Sequence, residues 1–319
     1  MDEFNIKPGR YSEKTLVGMF ASQKIKDDYI KKGKFTSSNK QRWLDKISRY
    51  CQIQDLGNGY YTISKIHPYP LPAKWALMNK PLYKDLVPNL LRLTLKGIED
   101  NQTTLVCPLL SWKRRVGMLP NKYFDLQYQL TNFDNLYGIN CVAAMDFFKK
   151  LNKNLDYYMA NAFKVLAEYG CFSAYDEYYI TLSNGDIRQA TEEEVNIHLQ
   201  CIAYADKICG ICKTAQRYCG IIGSQWNRTY KKELHKTHIN FVTTYPAITD
   251  FNQSRIEFLL SMYENANKPE SLLKDIESMV FKNIRKSIQN HPFTYDAEFY
   301  GCCQNTWKLL TEENNDKNN

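Results

Sequence analysis

The chain has 319 residues, 44% of them hydrophobic and 24% charged, with a formal net charge of +8. Such proportions belong to a folded, soluble protein of two or three domains, and no apolar run approaches the ~20 residues that a bilayer crossing needs. Only 14 glycines are present, which argues against glycine-rich phosphate loops and against barrels or propellers with many tight turns.

In chain order, Met1 to Arg10 carries acids and no apolar core, so no signal peptide is expected. A short extended start at Phe4 and Ile6 leads to Ser12, which can cap a helix carrying Leu16, Val17, Met19 and Phe20. A basic connector, Lys31-Lys32-Gly33-Lys34, precedes a second helix that opens at Ser37 or Ser38 and turns Trp43, Leu44, Ile47 and Tyr50 inward. The runs on either side of Gly57-Asn58-Gly59 read as a β-hairpin, because Asn-Gly supplies the positive φ angles of a tight turn. Helix, helix, hairpin is the skeleton of a winged helix, and residues 1–67 form the first expected module. Pro68, Pro70 and Pro72 mark a linker over 68–81, since each proline removes a donor and restricts its neighbour.

A second winged-helix-like module is expected over 82–188. It comprises an apolar helix from Tyr83 to Leu95 interrupted near Pro88, an extended run at Thr103–Cys107 and a basic helix at Ser111–Met118. A loop from Pro120 to Asn140, a long helix from Ala144 to Tyr169 and a hairpin turning near Asp176-Glu177 complete it. Region 189–304 reads as helical. It opens with a capping box in which Thr191 caps and Glu194 reaches back, and further helices cover Asn252–Ala266 and Pro269–Ile288. The polar tail, 305–319, reads as disordered. The expected fold class is mainly α with small β-hairpins (α+β): two winged-helix-like modules and a C-terminal helical region.

The leading functional clue is the basic cluster of the first module. Lys31, Lys32, Lys34, Lys40, Arg42, Lys46 and Arg49 are opposed only by Asp45. With Trp43, Leu44 and Ile47 facing inward, Ser38, Asn39, Lys40, Gln41 and Arg42 occupy the first exposed turns, the part of a recognition helix that enters the major groove. Their hydroxyl, amide and cationic groups suit phosphates and base edges. Lys65 on the returning strand is placed for the neighbouring backbone. In the second module, Lys113, Arg114 and Arg115 on the short helix, and Lys149, Lys150 and Lys153 on the long one, are the candidates. The plain alternative for every such run is a solvated helix face.

Cys209 and Cys212, with His198, Cys201 and Cys219 nearby, form a weak metal candidate, because a structural zinc wants four ligands, commonly from two such pairs. Buried or idle thiols are the plainer reading, and the βαβ context of a redox motif is missing. His235 and His238 lack the glutamate of a metalloprotease helix. No catalytic residue and no cofactor is expected; a zinc-dependent activity in the C-terminal region is the enzymatic alternative.

Three stretches carry a resemblance: Tyr11-Ser12-x-Lys14-x-Leu16 followed by the basic helix ending in Arg49-Tyr50, the hairpin Gly59 to Ile66, and Arg188 to Glu194. In these the chain resembles a group of largely uncharacterised winged-helix DNA-binding proteins carried by phages and plasmids of low-GC Gram-positive bacteria. The resemblance implies duplex DNA as partner and a regulatory or replication-initiating role in the bacterial cytoplasm. The C-terminal helices would serve oligomerisation or docking to a replication or host protein, with no membrane involved. A reading from another class makes the winged helices protein-binding modules of an adaptor or host-factor inhibitor.

Overall fold

The computed structural model describes residues 7–35, 37–71, 81–212, 214–218, 220–263, 270–291 and 295–312. Among the described residues the molecule is mixed α and β, mostly helical, with two small antiparallel sheets. It divides into two compact units. The first holds Met1–Asp100, Lys113–Phe172 and Phe251–Asn319, and the second holds Asn101–Trp112 and Ser173–Asp250. The boundaries expected at 82–188 and 189–304 therefore do not follow the units, because each of those segments crosses from one unit to the other.

The first unit begins with β1 (Gly9–Ser12), α1 (Glu13–Phe20), α2 (Gln23–Lys32) and α3 (Ser37–Ile47), then β2 (Cys51–Gly57) and β3 (Tyr60–Ile66). Ser12 ends β1 and starts α1 with one side chain, its Oγ accepting from the Thr15 amide at 3.1 Å. The three strands order as β1-β3-β2, all antiparallel. Their turn is the expected one: Asn58 and Gly59 both have positive φ, 52° and 73°, and the Asp55 carboxylate accepts from the Gly57 amide at 2.9 Å. Leu16, Val17 and Phe20 of α1, Trp43 and Ile47 of α3, and Cys51, Tyr61 and Ile63 of the strands form one buried cluster. The helix α2 was not expected. Its mean composition is polar and it buries no residue completely, so a hydrophobic stripe gives no signal there.

Next come α4 (Pro81–Glu99), β4 (Thr104–Val106), α5 (Leu109–Arg115), α6 (Tyr123–Tyr128), a 3₁₀ turn (Leu130–Asn132), α7 (Phe133–Tyr137) and α8 (Cys141–Tyr169). Pro88 does not interrupt α4. Leu86, Val87, Leu90 and Leu91 around it are buried, and that packing outweighs the one backbone hydrogen bond a proline removes. The expected loop over 120–140 is instead built from short helices anchored by fully buried Tyr123 and Phe133.

In the second unit, β5 (Ser173–Leu182), β6 (Ile187–Gln189), α9 (Glu192–Cys209), a 3₁₀ turn (Thr214–Tyr218), α10 (Gly220–Leu234) and β7 (Ile239–Thr249) follow. The sheet order is β4-β7-β5-β6. Two expectations fail here. Strand β5 runs straight through Asp176 and Glu177, and the hairpin turns at 183–186, where Gly185 has φ 90° and Asn184 Oδ1 accepts from the Asp186 amide at 3.0 Å. The region after 189 is also not all helical, since β7 is an eleven-residue strand. Pro246 masked it. The proline is tolerated because pairing with β4 stops at Ala247, so β7 has a free edge on that side. Trp112 Nε1 donates to the Pro246 carbonyl at 2.9 Å. The hairpin expected at the end of the second module thus exists, but its turn lies about eight residues later than expected, and its first strand also pairs with β7.

The first unit closes with α11 (Gln253–Ser261), α12 (Glu270–Asn290) and α13 (Ala297–Thr311). Residues 305–311, expected in a polar tail, belong to α13, with Thr306, Trp307 and Leu310 buried. The rest of that tail beyond Glu312, and Pro72 to 80 of the expected linker, lie outside the described residues. No helix among the described residues is long and apolar enough to cross a membrane.

The Thr191–Glu194 capping box forms as expected, and it sits in a larger charge network. Glu194, 6% exposed, takes both guanidinium Nη groups of Arg188 at 2.8 and 2.7 Å and His238 Nε2 at 2.6 Å. The Arg188 guanidinium is the main reason its carboxyl stays well below the usual range. A depressed pKa stabilises the fold above the unfolded value near 4.5 and loses that contribution as pH falls below it. Thermal unfolding at about pH 6 and about pH 3 should show it: Glu194→Gln lowers stability by about 2 kcal/mol at the higher pH and narrows the gap between the two.

Candidate nucleic-acid interface

The cations of the N-terminal module are placed by the end of α2 and by the buried face of α3. Helix α2 ends at Gly33 in the left-handed conformation, φ 66°, with its amide donating to the Tyr29 carbonyl at 2.8 Å. Lys31 and Lys32 therefore fall in the last turn, where positive charge favours the helix dipole. Both are exposed, as is Lys34 in the connector. On α3, burying Trp43 and Ile47 leaves Gln41, Arg42, Asp45 and Lys46 outward. Gln41 Nε2 donates to Asp45 Oδ1 at 2.8 Å, holding that acid along the helix. Lys65 is exposed on β3, opposite Gln52 of β2. Among the described residues, none of Lys31, Lys32, Lys34, Arg42 and Lys65 enters an ion pair.

Three expected contacts are committed elsewhere. Lys40 Nζ pairs with Asp55 of β2 at 2.8 Å and lies 5.5 Å from the Tyr61 ring centre. The pair holds the ammonium above its ordinary pKa and the carboxyl below it. With both side chains more than a third exposed, 37% and 39%, it contributes little to stability, but it uses Lys40 to tie α3 to the hairpin. Lys46 Nζ donates to the Phe20 carbonyl at 3.0 Å, and Arg49 Nε donates to the Leu71 carbonyl at 2.8 Å. These correct the sequence reading: basic residues six and nine positions apart, Lys40, Lys46 and Arg49, look alike as text, yet their reach depends on which carbonyls and carboxylates the fold brings near. Asn39 is half-buried, and the side chain of Ser38 lies outside the described residues.

The candidates of the second module fare unevenly. Lys113 is 3% exposed, its ammonium bonded to Asn152 Oδ1 and Asp156 Oδ1, both at 2.8 Å. It is an internal strut between α5 and α8, not an interface residue. Lys150 faces Asp146 at 3.2 Å and the Tyr295 hydroxyl at 2.9 Å, and is largely covered. Arg115, Lys149 and Lys153 are exposed, and exposed Arg114 lies 5.3 Å from the Phe124 ring centre.

Counting charge by segment strengthens the N-terminal surface. Residues 7–71 hold thirteen Lys and Arg against five Asp and Glu, a surplus of eight that equals the net charge of the whole chain. That surplus includes Arg10, Lys14, Lys24 and Lys26, which the cluster on α3 alone leaves out. Arg10 rests 4.4 Å from the Tyr60 ring centre beside the turn.

The cysteine candidates do not converge. Cys209 Sγ lies 3.9 Å from Thr229 Oγ1, and Cys212 Sγ points to the Gly210 carbonyl at 3.7 Å. His198 Nδ1 meets the Tyr230 hydroxyl at 2.8 Å, and Cys219 lies outside the described residues. Among the described residues no three His, Cys, Asp or Glu side chains gather as metal ligands. No protein family, curated protein or solved structure matches this chain.

Proposed function

We propose that the chain binds duplex DNA through its N-terminal module, a winged helix in which α3 and the β2–β3 hairpin flank a cationic surface. The observation carrying this reading is the segregation of charge: the entire surplus of the protein lies within residues 7–71, on a helix-and-hairpin unit with Lys31, Lys32, Lys34, Arg42 and Lys65 exposed and unpaired among the described residues. Such a surface recruits a polyanion by releasing its counterions. Arg42 is the cation of α3 best placed to read a base edge, since its fork suits the guanine O6 and N7 pair. The phage and plasmid resemblance of the same residues adds the setting: a mobile element, with a regulatory or replication-initiating role.

Titrating labelled random-sequence duplex at low and moderate salt tests the proposal. Binding with a slope of log K on log salt near −4, about 0.9 per phosphate contacted, is expected; no binding at low salt refutes it. A second reading, a protein-binding module, has its own observation. A cavity of about 470 Å³ between α1 and α2 is lined by Val17, Tyr29 and Ile30, and Ile30 is 77% exposed. Under that reading, Ile30→Ser abolishes partner capture and leaves duplex binding untouched.

A further inference from the structure

Helices α12 and α13 line a groove of about 1030 Å³ in the first unit that shares no residue with the surface invoked above. Its lining is cationic: Lys274, Lys282, Arg285 and Lys286 from α12 and Lys308 from α13, against the single carboxylate of Glu277. Among the described residues the four α12 cations enter no ion pair, and the nearest carboxylate to Lys308 is Glu312 at 3.7 Å, one turn along the same helix. Like charges gathered along one groove repel, so the arrangement favours an anionic occupant.

Three further features narrow the occupant. The floor is Phe281 and Trp307, only 8% and 4% exposed. Those two rings are already covered and leave little aromatic surface for an apolar anchor, while the cations, with Ser278 and Gln304 as further donors, supply charge and hydrogen bonds. At about 1030 Å³ the groove is at the upper end of the size of small-ligand clefts, room for a few units of one extended strand and not for a duplex. Arg285 is pre-set. Its guanidinium lies 5.5 Å from the Tyr300 ring centre and its Nε donates to the Tyr300 hydroxyl at 3.0 Å. That hold leaves its planar end for a phosphate or a stacked base.

We propose that the α12–α13 groove binds a single nucleic-acid strand along its phosphodiester backbone. The site is independent of the N-terminal module, so either proposal can fail alone. The test uses the full chain, a labelled twelve-residue oligothymidine and a labelled duplex, read by fluorescence anisotropy. Lys282→Ala with Lys286→Ala should weaken oligothymidine binding about tenfold and make its salt dependence shallower by about 1.4, while duplex affinity stays within about twofold. Both lysines are exposed, and an unchanged circular dichroism spectrum verifies that the fold survives. Unaltered oligothymidine affinity in the double variant overturns the proposal. Equal loss on both probes overturns it too, as does competition by polyglutamate as effective as by unlabelled oligothymidine, which would assign the groove to an acidic peptide. Oligothymidine binding without duplex binding would leave the groove standing and remove the N-terminal reading.

Discussion

Replacing Lys31, Lys32, Lys34 and Arg42 together by alanine is expected to lower duplex affinity about a hundredfold at 0.1 M salt, with the slope of log K on log salt shallower by up to about 3.6. All four side chains are exposed, and none forms an ion pair among the described residues, so their removal should not disturb the core. Anisotropy titrations at several salt concentrations measure both quantities. The control is Lys113→Ala: its ammonium is already held by Asn152 and Asp156, so duplex affinity should not move although the fold weakens. If the quadruple variant keeps wild-type affinity, the cationic surface of the module is not the DNA contact. Arg42→Lys alone separates the two roles of that position. It keeps the charge but not the fork, so non-specific affinity should hold while discrimination among sequences falls.

The second large effect concerns the frame that holds those cations. Trp43→Ala should destabilise the N-terminal module by about 4 kcal/mol, as removal of a buried aromatic ring does. Trp43 is 1% exposed, its ring 5.0 Å from Phe35 and 5.5 Å, edge-on, from Tyr61. It thus joins the connector, α3 and β3. Chemical denaturation followed by tryptophan-independent circular dichroism measures the loss. Duplex binding should fall with it even though no charge has changed, and Trp43→Phe should recover most of both. Equal stability of Trp43→Ala and wild type would mean that the ring does not hold α3 against the sheet.

Features encoded by near neighbours were legible from the residues. The Ser12 cap, the Asn58-Gly59 turn and the Thr191–Glu194 capping box each close within four residues, where backbone geometry leaves few alternatives. Hydrophobic spacing marked α3 and α8 for the same reason, since a stripe of Trp43 and Ile47, or of Phe148, Leu151 and Leu155, needs no knowledge of its partner. Misreadings arose where a local cue had two meanings. Asp176-Glu177 resembles a turn but alternates along a strand, Pro246 resembles a break but sits at a free edge, and polar α2 shows no stripe at all.

Local chemistry therefore dictates where this chain caps, turns and begins its stripes, and the tally of its charges already places the cationic surplus in residues 7–71. Which of those cations remain available is another matter. Lys40 meets a carboxylate fifteen positions away, Lys46 a carbonyl twenty-six positions away and Lys113 two acceptors about forty away. An ammonium group binds whatever oxygen the folded chain brings within about 3 Å, and such meetings across long loops leave no mark in the spacing of the residues themselves. The same holds for the groove of α12 and α13, whose cations converge only because two helices pack side by side.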